Sequence, residues 1–431
     1  MRLIRNALAA LIVSSVVAAG CALSAGPAQA APSVLGPGFF WGVASSGFQS
    51  EGSSPDSNWL RYSRKQTDQI GTAADFYHRY RSDIALAKEL GVKVYRISVE
   101  WARIQPRPGV WDPAGVKFYD NVIGAIVAAG MRPMITLDHW VYPGWAADRG
   151  GWNNPQMADW WLANARYVVH RYAHYNPLWI TINEPTAYVM QELRQGGLPP
   201  TSTSMMFDQL VRAHRSAFDY IHSRQPGAMV SSNVAYIPAV EPALDAQFLD
   251  RVADKLDYVG IDYYYAVSPT DVSVASLVLN DYGSAGVAPD GLYYTLRHYG
   301  RKFPGKPLYV VENGMGTNNG APRPDGYRRA DLLRDDVYWL QRAKADGYNV
   351  IGYNYWSLTD NYEWGSYTPR FGLYTVNVKT DPTLTRRPTD AVAAYRQITA
   401  SNGVGSQYRP TRPAQWCSLV DGADSCLNPV R

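Results

Sequence analysis

From residue 39 onward, short apolar runs alternate with segments of helical periodicity. The runs are Phe39–Ser46, Lys93–Glu100, Arg132–Trp140, Leu178–Pro185, Ala228–Ile237, Leu256–Tyr265, Leu308–Met315 and Ile351–Asp360. Each opens almost continuously apolar, the pattern of a strand buried on both faces of a parallel sheet. Between them, Ala74–Leu90, Ala114–Ala129, Met157–His174, Phe207–Arg224 and Tyr327–Asp346 read as amphipathic helices, three of them stopped by Gly91, Gly130 and Gly347. Eight such units predict an α/β fold closed into a (β/α)8 TIM barrel, a single domain over residues 31–401. The rival, an open doubly wound sheet, calls for Gly-x-Gly-x-x-Gly after the first strand, and none occurs there.

The runs are asymmetric. They begin apolar and end in Glu100, His139, Asn183-Glu184, Asp262, Glu312-Asn313 and Asp360. In such a barrel the C-terminal strand ends form one face, and chemistry is done there. Loop residues are ordinarily polar because they are solvated, but six strands with the same asymmetry argue for a site.

Residues 1–30 have the form of an export leader. Arg2 and Arg5 precede the apolar stretch Ala7–Ala19, and Ala28-Gln29-Ala30 is a small-x-small cleavage site. A secreted or cell-envelope location follows as the expectation, and no other segment is long and apolar enough to span a membrane. Of three cysteines, Cys21 leaves with the leader. Cys417 and Cys426 remain as an even pair in the tail, residues 402–431, and are expected to form a disulfide in an oxidising compartment. The alternative is a lipoprotein box at Ala18-Ala19-Gly20-Cys21, with Cys21 lipidated.

Composition narrows the class further. The formal charge is +4, and no basic block interleaves with aromatics, so nothing marks a nucleic-acid surface. The chain carries 14 Trp and 31 Tyr, more than a core needs, and such rings make flat platforms with a polar tip that suit sugars. His170 and His174 stand four apart on a helix, but Arg171 lies between them and no third ligand is in view, so a solvated helix face is the better reading. No metal or cofactor is expected.

Hydrolysis of a glycosidic bond needs an acid for the leaving oxygen and a second carboxylate near the anomeric carbon. Glu184 and Glu312, ending the fourth and seventh runs, are the candidates, and they can meet only across a barrel mouth. Barrels host many chemistries, so the pair alone leaves other reactions open.

The motifs around these residues resemble glycoside hydrolase family 1, the β-glucosidase family. The resemblance rests on Thr181-Ile182-Asn183-Glu184-Pro185, Val311-Glu312-Asn313-Gly314, Phe40-Trp41-Gly42, Gly47-Phe48-Gln49-Ser50-Glu51-Gly52 and Tyr95 through Ile104. It continues in His139-Trp140, Gly151-Trp152, Trp356 through Trp364 and Arg370-Phe371-Gly372-Leu373, covering roughly residues 38 to 400 in order. It implies a retaining β-glycosidase acting by double displacement, with Glu312 as nucleophile and Glu184 as acid/base. Arg96 and Tyr264 would support the nucleophile, and Asn183 would donate to the sugar 2-hydroxyl. Gln49, His139, Trp140, Glu363 and Trp364 would bind the remaining hydroxyls, with Trp356 stacking beneath the ring. The alternatives are a transglycosidase using the same intermediate and a non-catalytic sugar-binding barrel.

Three departures from the family pattern bear on specificity. The stretch from Glu184 to Tyr264 is short, Asp138 and Val141-Tyr142-Pro143 replace the usual residues, and one residue fewer separates Glu363 from Arg370. They imply a more open leaving-group side, suited to a bulky aglycone or an oligosaccharide, and a shift of Trp364. The carboxylate of Glu363 would repel a sugar phosphate, so an unphosphorylated sugar is expected. Glu184 is not replaced by Gln, as it is in the thioglucosidase branch.

Overall fold

The eight apolar runs form the strands of a closed parallel barrel in a computed structural model that describes residues 35–237, 241–265, 282–415 and 422–430. The strands are β1 (Phe40–Ala44), β2 (Val94–Ser98), β3 (Arg132–Asp138), β4 (Leu178–Asn183), β5 (Met229–Ala235), β6 (Val259–Tyr263), β7 (Leu308–Asn313) and β8 (Val350–Trp356). Each pairs with its neighbour in sequence, and β8 closes on β1 with Phe40 opposite Gly352 and Ala44 opposite Trp356. The strands are shorter than the apolar runs. Glu100, His139 and Glu184 lie one or two residues past the last strand residue and Asp360 four residues past it, in the loops of the mouth.

The crossover helices confirm the periodicity to within a few residues. They include α1 (Phe76–Glu89), α2 (Pro113–Ala128), α3 (Met157–Tyr172), α4 (Thr203–Arg224), α5 (Glu241–Gln247), α6 (Asp290–Lys302), α7 (Arg329–Ala345) and α8 (Asp390–Ser401). Gly91, Gly130 and Gly347 have φ of 76°, 82° and 98°, a left-handed turn that glycine takes without a Cβ clash.

Two apolar layers hold the barrel. Between strands and helices runs the large outer core. Inside the barrel floor, Val94, Met134, Leu178, Ile180, Tyr258, Tyr309 and Val311 pack into a separate plug fed by four of the strands and the residue before β6. Such a plug makes the barrel a packed body with chemistry only at its top.

The expected leader, residues 1–30, and Cys417 lie outside the described residues. The described part of the tail runs over the outer helices. Asp335 of α7 accepts from the backbone N–H groups of Thr411 (2.8 Å) and Arg412 (3.1 Å), and Asp290 of α6 from that of Gln415 (2.8 Å). Among the described residues no helix is long and apolar enough to cross a membrane.

Candidate active site

The mouth is organised around one buried cation. Arg96, on β2, is fully buried; its Nε donates to Thr136 Oγ1 at 3.0 Å and its Nη2 to Asn183 Oδ1 at 2.5 Å. Its Nη1 bonds Glu312 Oε1 at the end of β7. Tyr264 donates to the other Glu312 oxygen at 2.7 Å. Both oxygens of Glu312 are therefore held, and its side chain is only 6% exposed.

Glu184 stands opposite on different terms. It is half-buried, has φ 40° and ψ 66°, and precedes Pro185, the first residue of the helix Pro185–Gln195. That left-handed backbone costs a non-glycine residue about 1–2 kcal/mol. Loss of solvation, then the nearby Glu312 anion, push its carboxyl up to about 8, partly offset by the charge of Arg96. One oxygen each of Glu184, Asp262 and Glu312 lie within 4.8 Å of one another. Among the described residues this trio has the spacing to hold a metal ion, but Arg96 already brings a positive charge to it.

Asn183 is fixed from three directions. Its Oδ1 accepts from Arg96 and, at 2.7 Å, from Asn233 of β5. Its backbone carbonyl accepts from the Trp140 indole at 2.8 Å. With Oδ1 saturated, the Asn183 amide N–H groups face Glu184, at 3.4 Å from Oε2.

A polar corner lies beside the carboxylates. Gln49 Nε2 donates to Glu363 Oε2 at 3.3 Å, and Trp356 Nε1 donates to Glu363 Oε1 at 3.3 Å. Burial, Glu312 and Asp360 push the Glu363 carboxyl up to about 8, against the two donors. His139 lies parallel to both Trp356 (centroids 5.8 Å apart) and Trp364 (5.9 Å). Burial, then Arg96, keep the imidazole far below its usual range and so neutral, and its Nδ1 has no partner. Trp364 rests on Trp59 at 4.4 Å and on Trp140 at 4.6 Å, so the shortened segment after Glu363 leaves it in the mouth.

The family model described as glycosyl hydrolase family 1 matches residues 32–256 and 222–404. The chain belongs to glycoside hydrolase family 1. It is 26% identical to beta-glucosidase A of Thermotoga maritima over 85% of this chain and 98% of that one. It is 29% identical to beta-glucosidase 40 of Arabidopsis thaliana over 82% and 90%. A galactolipid galactosyltransferase of Arabidopsis thaliana is also 29% identical, over 79% of this chain and 60% of that one. The barrel superposes on the family 1 β-glucosidase from Thermotoga maritima with a TM-score of 0.74 at 24% identity, covering 87% of this chain and 99% of that one. As a family 1 member the protein is a glycoside hydrolase.

The site residues named from the family resemblance lie together around this mouth, whereas two strand ends that look alike in sequence turn elsewhere. Glu100 accepts from Ser98 Oγ at 2.8 Å and faces Glu51 and Arg103. Asp360 accepts from the backbone N–H groups of Gly372 (2.9 Å) and Val376 (3.1 Å), anchoring a loop. The Trp140 indole is spent on Asn183, so it acts through that residue. Sequence reasoning missed Asn233. Its signal was available: Ser231-Ser232-Asn233 interrupts an apolar strand with three polar residues, all buried. His170 and His174 lie away from the mouth, His170 beside Arg224 and His174 against Tyr175.

Proposed function

We propose that the enzyme hydrolyses terminal β-D-glucosides or closely related unphosphorylated β-glycosides with retention of configuration. The observation that carries this is the approach of Glu184 and Glu312 within 4.8 Å in unlike surroundings. An inverting enzyme needs about 6.5–9.5 Å between its carboxyls to admit a water, whereas retention needs about 5–5.5 Å. Glu312 attacks the anomeric carbon while the Glu184 proton passes to the departing oxygen, and an ester forms. With that ester the Glu312 charge is gone, and Glu184 takes a proton from the water that cleaves it. The proton ends on Glu184 and the sugar leaves with its configuration restored.

The neutral His139 with its unpartnered Nδ1, the Gln49–Glu363–Trp356 corner and the Asn183 amide are suited to sugar hydroxyls, and the parallel rings to the sugar face. Half-burial of Glu184 and the short stretch beyond it support an open leaving-group side. The leader signature supports export, and with it a Cys417–Cys426 disulfide. Replacing Glu312 by Gly should abolish turnover of aryl β-glucosides, and azide should restore slow release with an inverted glycosyl azide. Wild-type turnover by the variant overturns the assignment. An open acceptor side also suits transfer to a second sugar or a lipid, and product analysis with added acceptor separates transfer from hydrolysis.

A further inference from the structure

The mouth holds a third carboxylate that the double displacement does not use. Asp262, next to last in β6, lies opposite Glu312 of β7, where the register shifts between Ile261 and Asp262, a local kink of the kind that re-aims a side chain. Asp262 is 1% exposed. Its Oδ2 accepts from Asn233, while its Oδ1 is buried and meets no N–H or hydroxyl donor. What Asp262 does face is the carboxyl of Glu184, with one oxygen of each within 4.8 Å. Two carboxyl oxygens at that range repel unless a proton lies between them. Glu312 from β7, Arg96 from β2 and Tyr264 just past β6 also act on it.

We propose that Asp262 is a positioning residue for the acid/base: its Oδ1 accepts the Glu184 proton in the resting enzyme and so aims the Glu184 carboxyl. The inference rests on Glu184 being that acid/base. When the proton passes to the leaving oxygen, two carboxylates are left facing each other in a dry site. Their repulsion makes Glu184 a stronger base toward the incoming water. The water proton goes to Glu184, and Asp262 ends the cycle as it began. Burial and the neighbouring anions hold the Asp262 carboxyl well above the usual carboxylate range, in keeping with a shared proton.

Asp262→Asn keeps the shape, removes the charge and offers an amide N–H that favours the Glu184 anion. The alkaline limb of kcat/KM should move down by about one pH unit or more. At neutral pH the loss should be about tenfold greater for an alkyl glycoside, which needs the acid, than for a dinitrophenyl glycoside, which does not. An unmoved limb with equal losses on both substrates overturns the proposal. Glu184→Gln in the same series keeps the two readings apart: if it retains the wild-type alkaline limb and rate, the acid/base assignment itself fails. Should Asp262→Asn not fold, 13C NMR of aspartate carboxyls decides. In the folded enzyme one resonance titrating above about pH 6 should move down in Glu184→Gln while the others stay. If none moves, the shared proton is excluded.

Discussion

The ends of β4 and β7 carry the same side chain and treat it in opposite ways. At β7, Glu312 stays within the strand, and both its oxygens are held by Arg96 and Tyr264. At β4, Glu184 sits in left-handed backbone, half-open to the mouth, with only the 3.4 Å Asn183 contact from a neutral donor. A nucleophile must keep its charge and position through an attack, so it gains from being over-determined. An acid/base must release and recover a proton, so it gains from a setting that makes its anion costly. Two glutamates become two reagents through their partners alone.

The sharpest way to break this contrast is Arg96→Met. It leaves Glu312 buried beside Asp262 and Glu184 without a counter-charge, and should lower folding stability by about 3–5 kcal/mol, read from urea melts. Tyr264→Phe removes one of the two holds on Glu312. A hydrogen bond to a charged group is worth about 1.5–3 kcal/mol, so kcat/KM should fall about 10- to 150-fold with little change in melting temperature. The β4 end is sharpened by pH. The acid form of Glu184 is the active one, and its carboxyl is raised to about 8, so activity should be present below that pH and fall about tenfold per unit above it. Stopped assays on an alkyl glucoside from pH 4 to 10 check this; loss beginning near pH 5 would contradict it. The smallest effect belongs to the barrel floor. Tyr309→Phe removes a 2.9 Å hydrogen bond to Asn354 and should cost about 1 kcal/mol of stability with kcat unaltered.

How much of this was legible in the chain depends on which atoms carry the property. Strand and helix positions follow from apolar period, and the barrel from their alternation, because burial on both faces of a strand leaves a mark at every residue. Glu184, Glu312 and Arg96 were reachable through motifs. Glu100 and Asp360 show what pattern alone does not contain. They end their runs as Glu312 does, yet Glu100 turns toward Arg103 and Asp360 toward backbone N–H groups, because the direction of a side chain past a strand end is set by tertiary packing. The approach of Asp262 to Glu184 within 4.8 Å was hidden for the same reason: Asp262 lies where the register shifts between β6 and β7, which no local periodicity encodes.

Closure of β8 onto β1 has one more consequence. Because the ring of strands is complete, the span between the two glutamates is fixed by backbone pairing running round the circle, and the connecting segments do not set it. Those segments can therefore lengthen, shorten or be exchanged with those of relatives to admit other aglycones, and the reacting groups would keep their alignment. For protein engineering, the circle is the chassis, and the rim is the interchangeable part.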